Sequence, residues 1–280
     1  MSRPGLLASG GPAWTGGAVG GRTRCVLAPN PGPMTLDGTN TWLLTCAGTG
    51  SVVVDPGPDH PGHLRSVLDA ALAADAPVRT VLLTHGHLDH SEGANAFAAL
   101  AAKELGRTVP VRALDPALRL GDEGLGDGDV VAVADLELRV VGTPGHTSDS
   151  LSFLLAEPGG PSGLLTGDTV LGRGTTVVAH PDGRLGPYLD SLQRLRDLVE
   201  HVGDARVLPG HGPVLDDAHA AIEAYLAHRQ ARLDQVRAAL EAGDRTAAEV
   251  VRRVYADVDP ALLPAAELSV RAQLEFLGHV

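Results

Sequence analysis

A short histidine-rich segment, Thr84-His85-Gly86-His87-Leu88-Asp89-His90, directly follows the apolar run Val81-Leu82-Leu83. The apolar run predicts a buried strand, and four side chains able to bind a metal follow it within six residues. Neither one strand face nor one helix face can display four side chains at this spacing, so the segment, the histidine loop, must be a loop. Neutral imidazoles and a carboxylate suit zinc and similar divalent ions, and a strand end gives them a rigid base. The alternative is a polar surface turn.

Three later segments repeat an apolar run, a glycine and an ionisable residue: Val140 to His146, Leu164 to Asp168 and Val207 to His211. Each predicts a strand that ends at a glycine-bearing turn and presents one metal-binding side chain there. The candidate ligands are then His85, His87, Asp89, His90, His146, Asp168 and His211. This set is enough for two metals, with three imidazoles on one, Asp89, His90 and His211 on the other, and Asp168 able to bridge them. Because a water between two divalent ions loses a proton near neutral pH and becomes a nucleophile, the pattern indicates a hydrolase.

An acidic residue, Asp55, ends another apolar run, Val52-Val53-Val54. It is either a turn former or, as we expect here, an acceptor of hydrogen bonds that fixes the imidazoles of the histidine loop. His60 and His63 follow in a turn with no strand before them and are interpreted as surface residues.

Two further groups are candidate parts of an active site. Ser148, Asp149 and His146 could form a catalytic triad, but the sequence lacks the usual nucleophile elbow, so we favour a ligand role for His146. Arg173, Thr175 and Thr176 follow Asp168 in a glycine-rich loop, where they can contact substrate oxygens. An ordinary surface loop is the alternative for that segment.

Composition sets limits on the partners. The chain has 280 residues and a net charge of −12, so any binding of a polyanion requires a local basic or metal-lined patch. Its two cysteines, Cys25 and Cys46, are expected to be free thiols of a reducing cytoplasm. No secretory signal or transmembrane span is evident, so a cytoplasmic location without a membrane partner is expected.

The ends of the chain differ from its middle. Residues 1–21 are rich in glycine and are expected to be a mobile lead, with order beginning near Thr23. After His211 the pattern predicts three helices, over about 216–242, 246–255 and 260–277, and Thr246 with Glu249 gives the second a capping box. Three such helices suggest a winged-helix-like module. Since acidic residues match its arginines, packing or formation of a homodimer is favoured over contact with nucleic acid.

With these motifs in this order, the chain resembles the metallo-β-lactamase superfamily. The resemblance implies an α+β fold, a four-layer αβ/βα sandwich with metals at one edge, over residues 22–215 and a C-terminal winged-helix-like module over 216–280. More narrowly, residues 30–41, the loop 167–176 and the helical C-terminus look like the β-lactamase-like protein 2 group. In three places the sequence departs from that group: Gly86 stands where relatives often carry an aromatic residue, an insert covers 179–185, and the C-terminal module ends early.

The resemblance also implies roles and substrates. His85, His87 and His146 would hold a first zinc and Asp89, His90 and His211 a second, with Asp168 bridging, and catalysis would depend on Asp55, Asp89 and Asp168. The group includes endoribonucleases that cleave single-stranded RNA and proteins that hydrolyse acyl-carrier thioesters. RNA is the first expectation, and a thioester of acyl-carrier or hydroxyacyl-thiol type is the alternative.

Two other classes stay open at this point. The chain could be a regulatory or scaffolding protein with an inactive metal site, or a mononuclear iron dioxygenase on the same fold. Imidazole and carboxylate ligands do not select zinc uniquely, so iron or manganese also fit.

Overall fold

The computed structural model of the protein describes residues 12–156 and 162–279. The strands are β1 Gly17–Ala18, β2 Thr23–Leu27, β3 Asn40–Cys46, β4 Gly50–Val54, β5 Val78–Leu82, β6 Val111–Arg112, β7 Val130–Val133, β8 Leu136–Gly142, β9 Leu151–Leu155, β10 Ser162–Gly167 and β11 Ala205–Pro209. The α-helices are α1 Pro61–Ala73, α2 Leu88–Ser91, α3 Ala94–Leu105, α4 Leu185–Val202, α5 Ala218–Glu241, α6 Ala247–Val254 and α7 Leu263–Phe276.

The strands form two mixed sheets. In the first, the order β1-β2-β3-β4-β5-β6 follows the chain, and β4, β5 and β6 are parallel. In the second, the order is β11-β10-β9-β8-β7, and only β10 and β11 are parallel. Because neighbouring parallel strands end at the same edge, β4 with β5 and β10 with β11 each present their C-terminal loops side by side.

Side chains alternate between the two faces of each sheet, and this alternation determines which layer each residue packs against. In β4, Val52 and Val54 face the second sheet, whereas Val53 faces the helices behind the first. Helices α1 and α3 cover the outer face of the first sheet, and α4 with α5 covers that of the second. The result is the expected four-layer αβ/βα sandwich, in which the inner faces of the two sheets pack against each other.

The C-terminal helices are joined to this sandwich by α5. Its first half, with Ile222 and Tyr225, packs into the core behind the second sheet, and its second half, with Val236, packs against α6 and α7. The predicted capping box of α6 is present, with Thr246 and Glu249 exchanging side-chain and backbone bonds. No strand follows β11 in the described part of the chain. The domain boundary at residue 216 remains a prediction.

The structure corrects the expectation for the second half of the lead. The Trp14 indole donates to Asn40 Oδ1 at 2.8 Å, and β1 pairs with β2, so residues 12–21 have a defined place. The expectation that His63 lies at the surface was also wrong. His63 is buried, because α1 carries it inward to hydrogen-bond Thr41 at 2.9 Å.

The remaining part of the expected lead, residues 1–11, lies outside the described residues. Cys25 and Cys46 are both free thiols. Among the described helices, none combines the length and the apolar character that crossing a membrane requires.

Candidate metal centre

Ligand-type side chains meet where the two sheets present their loops. Asp55 follows β4 directly, and His85 lies three residues beyond β5. From the second sheet, Asp168 follows β10, His211 comes two residues after β11, and His146 comes four residues after β8. The chain therefore places its candidate ligands at one edge of the sandwich, as the strand-end pattern predicted.

The histidine loop is short and is held together by hydrogen bonds within itself. Residues Leu88–Ser91 form a single helical turn, α2, that begins directly after His87. The Ser91 hydroxyl lies 3.0 Å from the carbonyl oxygens of both Gly86 and His87, to which it donates. This contact closes the loop, so His85, His87 and His90 face the same point from a fixed backbone.

A first cluster consists of His85, His87 and His146. Nδ1 of His87 lies 3.1 Å from Nε2 of His85 and 3.0 Å from Nε2 of His146. Nδ1 of His146 is 2.8 Å from the Val177 carbonyl, to which it must donate, and so its Nε2 keeps a free lone pair. Burial and neighbouring imidazoles lower the pKa of His85 and His146. Three imidazoles whose nitrogens converge in this way are a metal-ligand arrangement.

A second cluster consists of Asp89, His90 and His211. Nε2 of His211 lies 3.1 Å from Asp89 Oδ2 and 3.2 Å from Nε2 of His90. Nδ1 of His211 donates to the Gly38 carbonyl at 3.1 Å. Burial alone would lower the pKa of His211, but the carboxylates of Asp168 and Asp89 outweigh it and raise that pKa to about 9. A divalent ion would displace that proton, so metal binding here is coupled to pH.

Asp168 lies between the clusters. Its Oδ1 is 3.4 Å from Nε2 of His90, and its Oδ2 is 3.5 Å from Nε2 of His211 and 3.7 Å from Nε2 of His146. Within the described residues, Oδ1 is buried and has no hydrogen-bond partner. A buried carboxylate oxygen without a partner is costly unless a ligand completes it. This orphaned oxygen, together with the free imidazole lone pairs, fits a pair of divalent metals.

Asp55 supports both clusters from behind. Its Oδ1 accepts from the Thr84 backbone N–H at 2.8 Å, and its Oδ2 accepts from Nδ1 of His90 at 2.8 Å and from the Thr84 hydroxyl at 2.6 Å. Since that hydroxyl donates to Asp55, it must accept from Nδ1 of His85, 3.0 Å away. One carboxylate thus fixes the rings of His90 and, through Thr84, of His85 by their Nδ1 atoms, which directs each Nε2 towards the clusters.

The loop after Asp168 makes contacts within the protein. Arg173 pairs with Asp37 and also donates to the Pro12 carbonyl at 3.1 Å. The Thr176 hydroxyl is buried and donates to the Asp168 carbonyl at 2.7 Å. Thr175 is half-buried. The expected substrate contacts of Arg173, Thr175 and Thr176 stay a prediction, and the first and last have structural roles in this arrangement.

The triad alternative is wrong on geometry. The ring nitrogens of His146 face the Val177 carbonyl and Nδ1 of His87, so neither contacts Ser148. The backbone N–H of Ser148 donates to Asp182 in the insert 179–185.

Sequence reasoning missed several supporting groups. Asn40 donates from Nδ2 to the carbonyls of Pro209 and Gly212, at 2.9 and 2.8 Å, and so holds both ends of the turn that carries His211. The only local signal for it was its place in the segment 30–41. Gly38 lies in the same segment, but neither its residue type nor that of Val177 indicates a role, because both act through their carbonyl oxygens.

The two sheets and the paired clusters define a metal-dependent hydrolase. The family profile described as "Metallo-beta-lactamase superfamily" matches residues 34–211, and the chain belongs to that superfamily. The profile described as "Beta-lactamase associated winged helix domain" matches residues 246–277, which comprise α6 and α7.

Individual relatives agree with this assignment. The chain is 34% identical over 262 residues to the beta-lactamase-like protein 2 homolog of Caenorhabditis elegans, covering 90% of this chain and 82% of that protein. It is 37% identical over 222 residues to the atrochrysone carboxyl ACP thioesterase of Aspergillus fumigatus, covering 77% and 64%. Among solved structures, a beta-lactamase domain protein from Burkholderia ambifaria superposes with a TM-score of 0.76 at 25% identity, covering 99% of this chain and 90% of that one.

Proposed function

We propose that this protein hydrolyses acyl thioesters in a site that holds two zinc ions. The metal-dependent hydrolase class rests on the family and on the converging clusters. The observation that carries the choice of substrate is the charge around the site, because the cationic side chains that a phosphate backbone would need are engaged elsewhere or lie far away.

In this proposal, His85, His87 and His146 would hold one ion and Asp89, His90 and His211 the other, with Asp168 lying between the two sets. Ions bound there would supply Lewis acidity that polarises a substrate carbonyl and acidifies a water molecule. The chain's own contribution is to hold the ligands rigidly. Asp55 and the carbonyls of Gly38 and Val177 fix the imidazoles through their outer nitrogens.

The acidic groups of the site suit a leaving group that departs without a strong acid. In this proposal Asp89 and Asp168 would both serve as metal ligands, and a carboxyl group that binds a metal is ionised. Both groups are therefore carboxylates, able to accept a proton but poor donors. A thiolate, with a thiol pKa of about 8.5, can leave unprotonated, whereas a sugar alkoxide needs a proton donor.

Charge argues against a polyanion. The only lysine, Lys103, lies in the last turn of α3, at the end opposite the histidine loop. Arg173, which lies five residues after Asp168, is paired with Asp37. Residues 216–280 contain seven arginines against eleven acidic residues. Six of those arginines contact other groups of the chain: Arg229, Arg232, Arg237, Arg245, Arg253 and Arg271.

Two exposed apolar side chains are close in sequence to residues of the site. Leu88 stands between His87 and Asp89 and is 68% exposed. Met34 is 49% exposed in the segment that leads to Gly38, whose carbonyl contacts His211. Such residues suit the hydrocarbon part of an acyl group better than a phosphodiester. The similarity to a protein named as an ACP thioesterase supports the same class of substrate.

Single-stranded RNA is the second candidate. It is favoured by the identity to a beta-lactamase-like protein 2 homolog over most of both chains, since the resemblance described above implies nucleases in that group. RNA binding would have to arise from the metals themselves, because the described arginines offer little support.

The test compares both substrates on zinc-loaded protein. Acyl N-acetylcysteamine thioesters of short and long chain length and an end-labelled single-stranded RNA are offered to the wild type, His87→Ala and Asp168→Asn. His201→Ala, at an exposed histidine in the last turn of α4 and outside the clusters, is the matched control. We expect thioester hydrolysis that both site variants lose and the control keeps. RNA cleavage with the same mutational pattern, and no thioester turnover, would replace this proposal by the nuclease.

A further inference from the structure

The loop that carries Asp168 needs support from outside itself. We call residues 168–176 the Asp168 loop. It begins after Gly167, where φ is +48° and a Cβ would lie 2.6 Å from the Thr84 hydroxyl, so the entry to the loop is fixed by close packing. Within the loop, the Thr176 hydroxyl donates to the Asp168 carbonyl and thereby joins its last residue to its first. Whatever fixes Thr176 therefore also fixes the backbone of Asp168.

Two tyrosines hold the middle of the loop by its backbone. The Tyr188 hydroxyl, from α4, donates to the Thr169 carbonyl at 2.6 Å. The Tyr225 hydroxyl, from α5, accepts from the Leu171 N–H at 2.8 Å and lies 3.3 Å from the Gly174 carbonyl. Both rings are fully buried. These bonds make the position of the loop a property of the helices behind it.

Arg229 of α5 holds the end of the loop. Its side chain is buried, with 4% of the residue exposed, and its Nη2 donates to the Thr176 carbonyl at 2.5 Å. Its guanidinium also lies over the Tyr188 ring, 4.8 Å from the centroid. Among the described residues, its Nε has no hydrogen-bond partner. Burying a guanidinium is costly where a leucine would pack without penalty, so a packing role alone does not account for this residue.

We propose that Arg229 is a positioning residue for Asp168. It fixes the position of the Asp168 carboxylate between the two clusters. It does so through Thr176 and together with Tyr188 and Tyr225. The inference rests on the proposed ligand role of Asp168 but not on the identity of the substrate. It also assigns the long helix α5 a direct part in building the site.

The test titrates metal-free protein with cobalt(II) chloride and follows the visible d–d spectrum, which reports ligand geometry without any substrate. In Arg229→Met we expect an altered spectrum and about 10- to 100-fold weaker binding of at least one ion, the usual effect of losing an outer support. Arg232→Met is the matched control. Arg232 lies on the same helix, 4.6 Å over the Tyr255 ring, and donates to the Val254 carbonyl, but it faces α6. It should leave the spectrum and the affinity unchanged.

Further variants separate positioning from packing. Tyr188→Phe and Tyr225→Phe remove single hydroxyls and keep the core filled, so they give an answer even if Arg229→Met does not fold, and each should shift the spectrum in the same direction. Arg229→Lys keeps a cationic donor on a side chain of nearly the same length as methionine. It should therefore recover part of the cobalt affinity that Arg229→Met loses. A lower melting temperature in Arg229→Met with unchanged cobalt affinity and spectrum would overturn the proposal. A wild type that binds no cobalt would instead refute the ligand assignment itself.

Discussion

Replacing Asp55 by asparagine tests whether the support behind the clusters matters. The carboxylate accepts three hydrogen bonds, one on Oδ1 from the Thr84 N–H and two on Oδ2 from the Thr84 hydroxyl and Nδ1 of His90. Asparagine has the same shape but only one acceptor oxygen. If its oxygen takes the Oδ2 place, its amide faces the Thr84 N–H, and if the amide takes that place, it faces Nδ1–H of His90. In either orientation, the N–H groups of the asparagine amide face another hydrogen-bond donor in a buried site, and no bond can form between them.

The expected magnitude follows from this count. A hydrogen bond to a charged group contributes about 1.5–3 kcal/mol, and each ~1.4 kcal/mol is a factor of ten in an equilibrium constant. His90 can relieve the conflict by moving its proton to Nε2, the atom that faces the second cluster, and it then no longer binds a metal through that atom. We therefore expect zinc affinity at the second cluster, and turnover with it, to fall about 10- to 100-fold.

The assay is a chelator competition for zinc, together with steady-state turnover. Asp75→Asn is the control, because Asp55 and Asp75 share a left-handed backbone, with φ of +52° and +51°, but Asp75 is exposed near Gly48. Asparagine tolerates this conformation well, so backbone strain should not contribute in either variant. If Asp55→Asn bound both zinc ions within about twofold of wild type, the support we assign to Asp55 would be refuted.

Three other outcomes are expected. Removing metal with a chelator should abolish turnover and lower the free energy of unfolding, by about 2.7 kcal/mol relative to protein in metal at 100 times its Kd, and an unchanged denaturation curve would count against metal bound by the folded clusters. Gly172→Ala should lower the free energy of unfolding by about 3 kcal/mol or more and impair turnover, because its Cβ would lie 1.9 Å from the Pro213 carbonyl oxygen. Gly174→Ala has open space around it and should cost only about 1 kcal/mol. Equal losses of stability in urea unfolding would contradict this reasoning. Burial lowers the pKa of His63 from 6.5 to about 4, so the unfolded chain takes up a proton in that range that the folded chain refuses, and the contribution of His63 to stability is complete above pH 6.5 and lost as the pH falls towards 4. His63→Gln should flatten that part of the stability profile of chelated protein, and parallel profiles for the two proteins would show that His63 is not responsible.

The ligands themselves were predictable from local sequence. Each lies just beyond an apolar run, and the chain places such strand ends at common edges of two sheets. His85, Asp168 and His211 could therefore be grouped before their distances were known. The three C-terminal helices were also predictable from local signals, such as the capping box of α6. In these places the local pattern and the fold agree, and that agreement is why the prediction succeeded.

The groups that hold the ligands were not predictable in this way. His211 is oriented by the Gly38 carbonyl, 173 positions away, and His146 by the Val177 carbonyl, 31 positions away. A backbone oxygen carries no mark of its role in the residue type. Arg173 illustrates the reverse problem, because a cation in a glycine-rich loop suggested a substrate contact, yet its partner, Asp37, lies in another segment. Only the contacts in the folded protein distinguish a substrate-binding arginine from one that pairs within the chain.

The helix α5 shows why the C-terminal part cannot be treated as a separate attachment. Its first half completes the core behind the second sheet, and its second half forms the core shared with α6 and α7. Arg229 lies between these halves and donates to the loop that begins at Asp168. Any change that tilts α5 relative to α6 and α7 would therefore move the Arg229 guanidinium, which donates to the Asp168 loop. Such a coupling would let whatever packs against the C-terminal helices influence catalysis without touching the substrate.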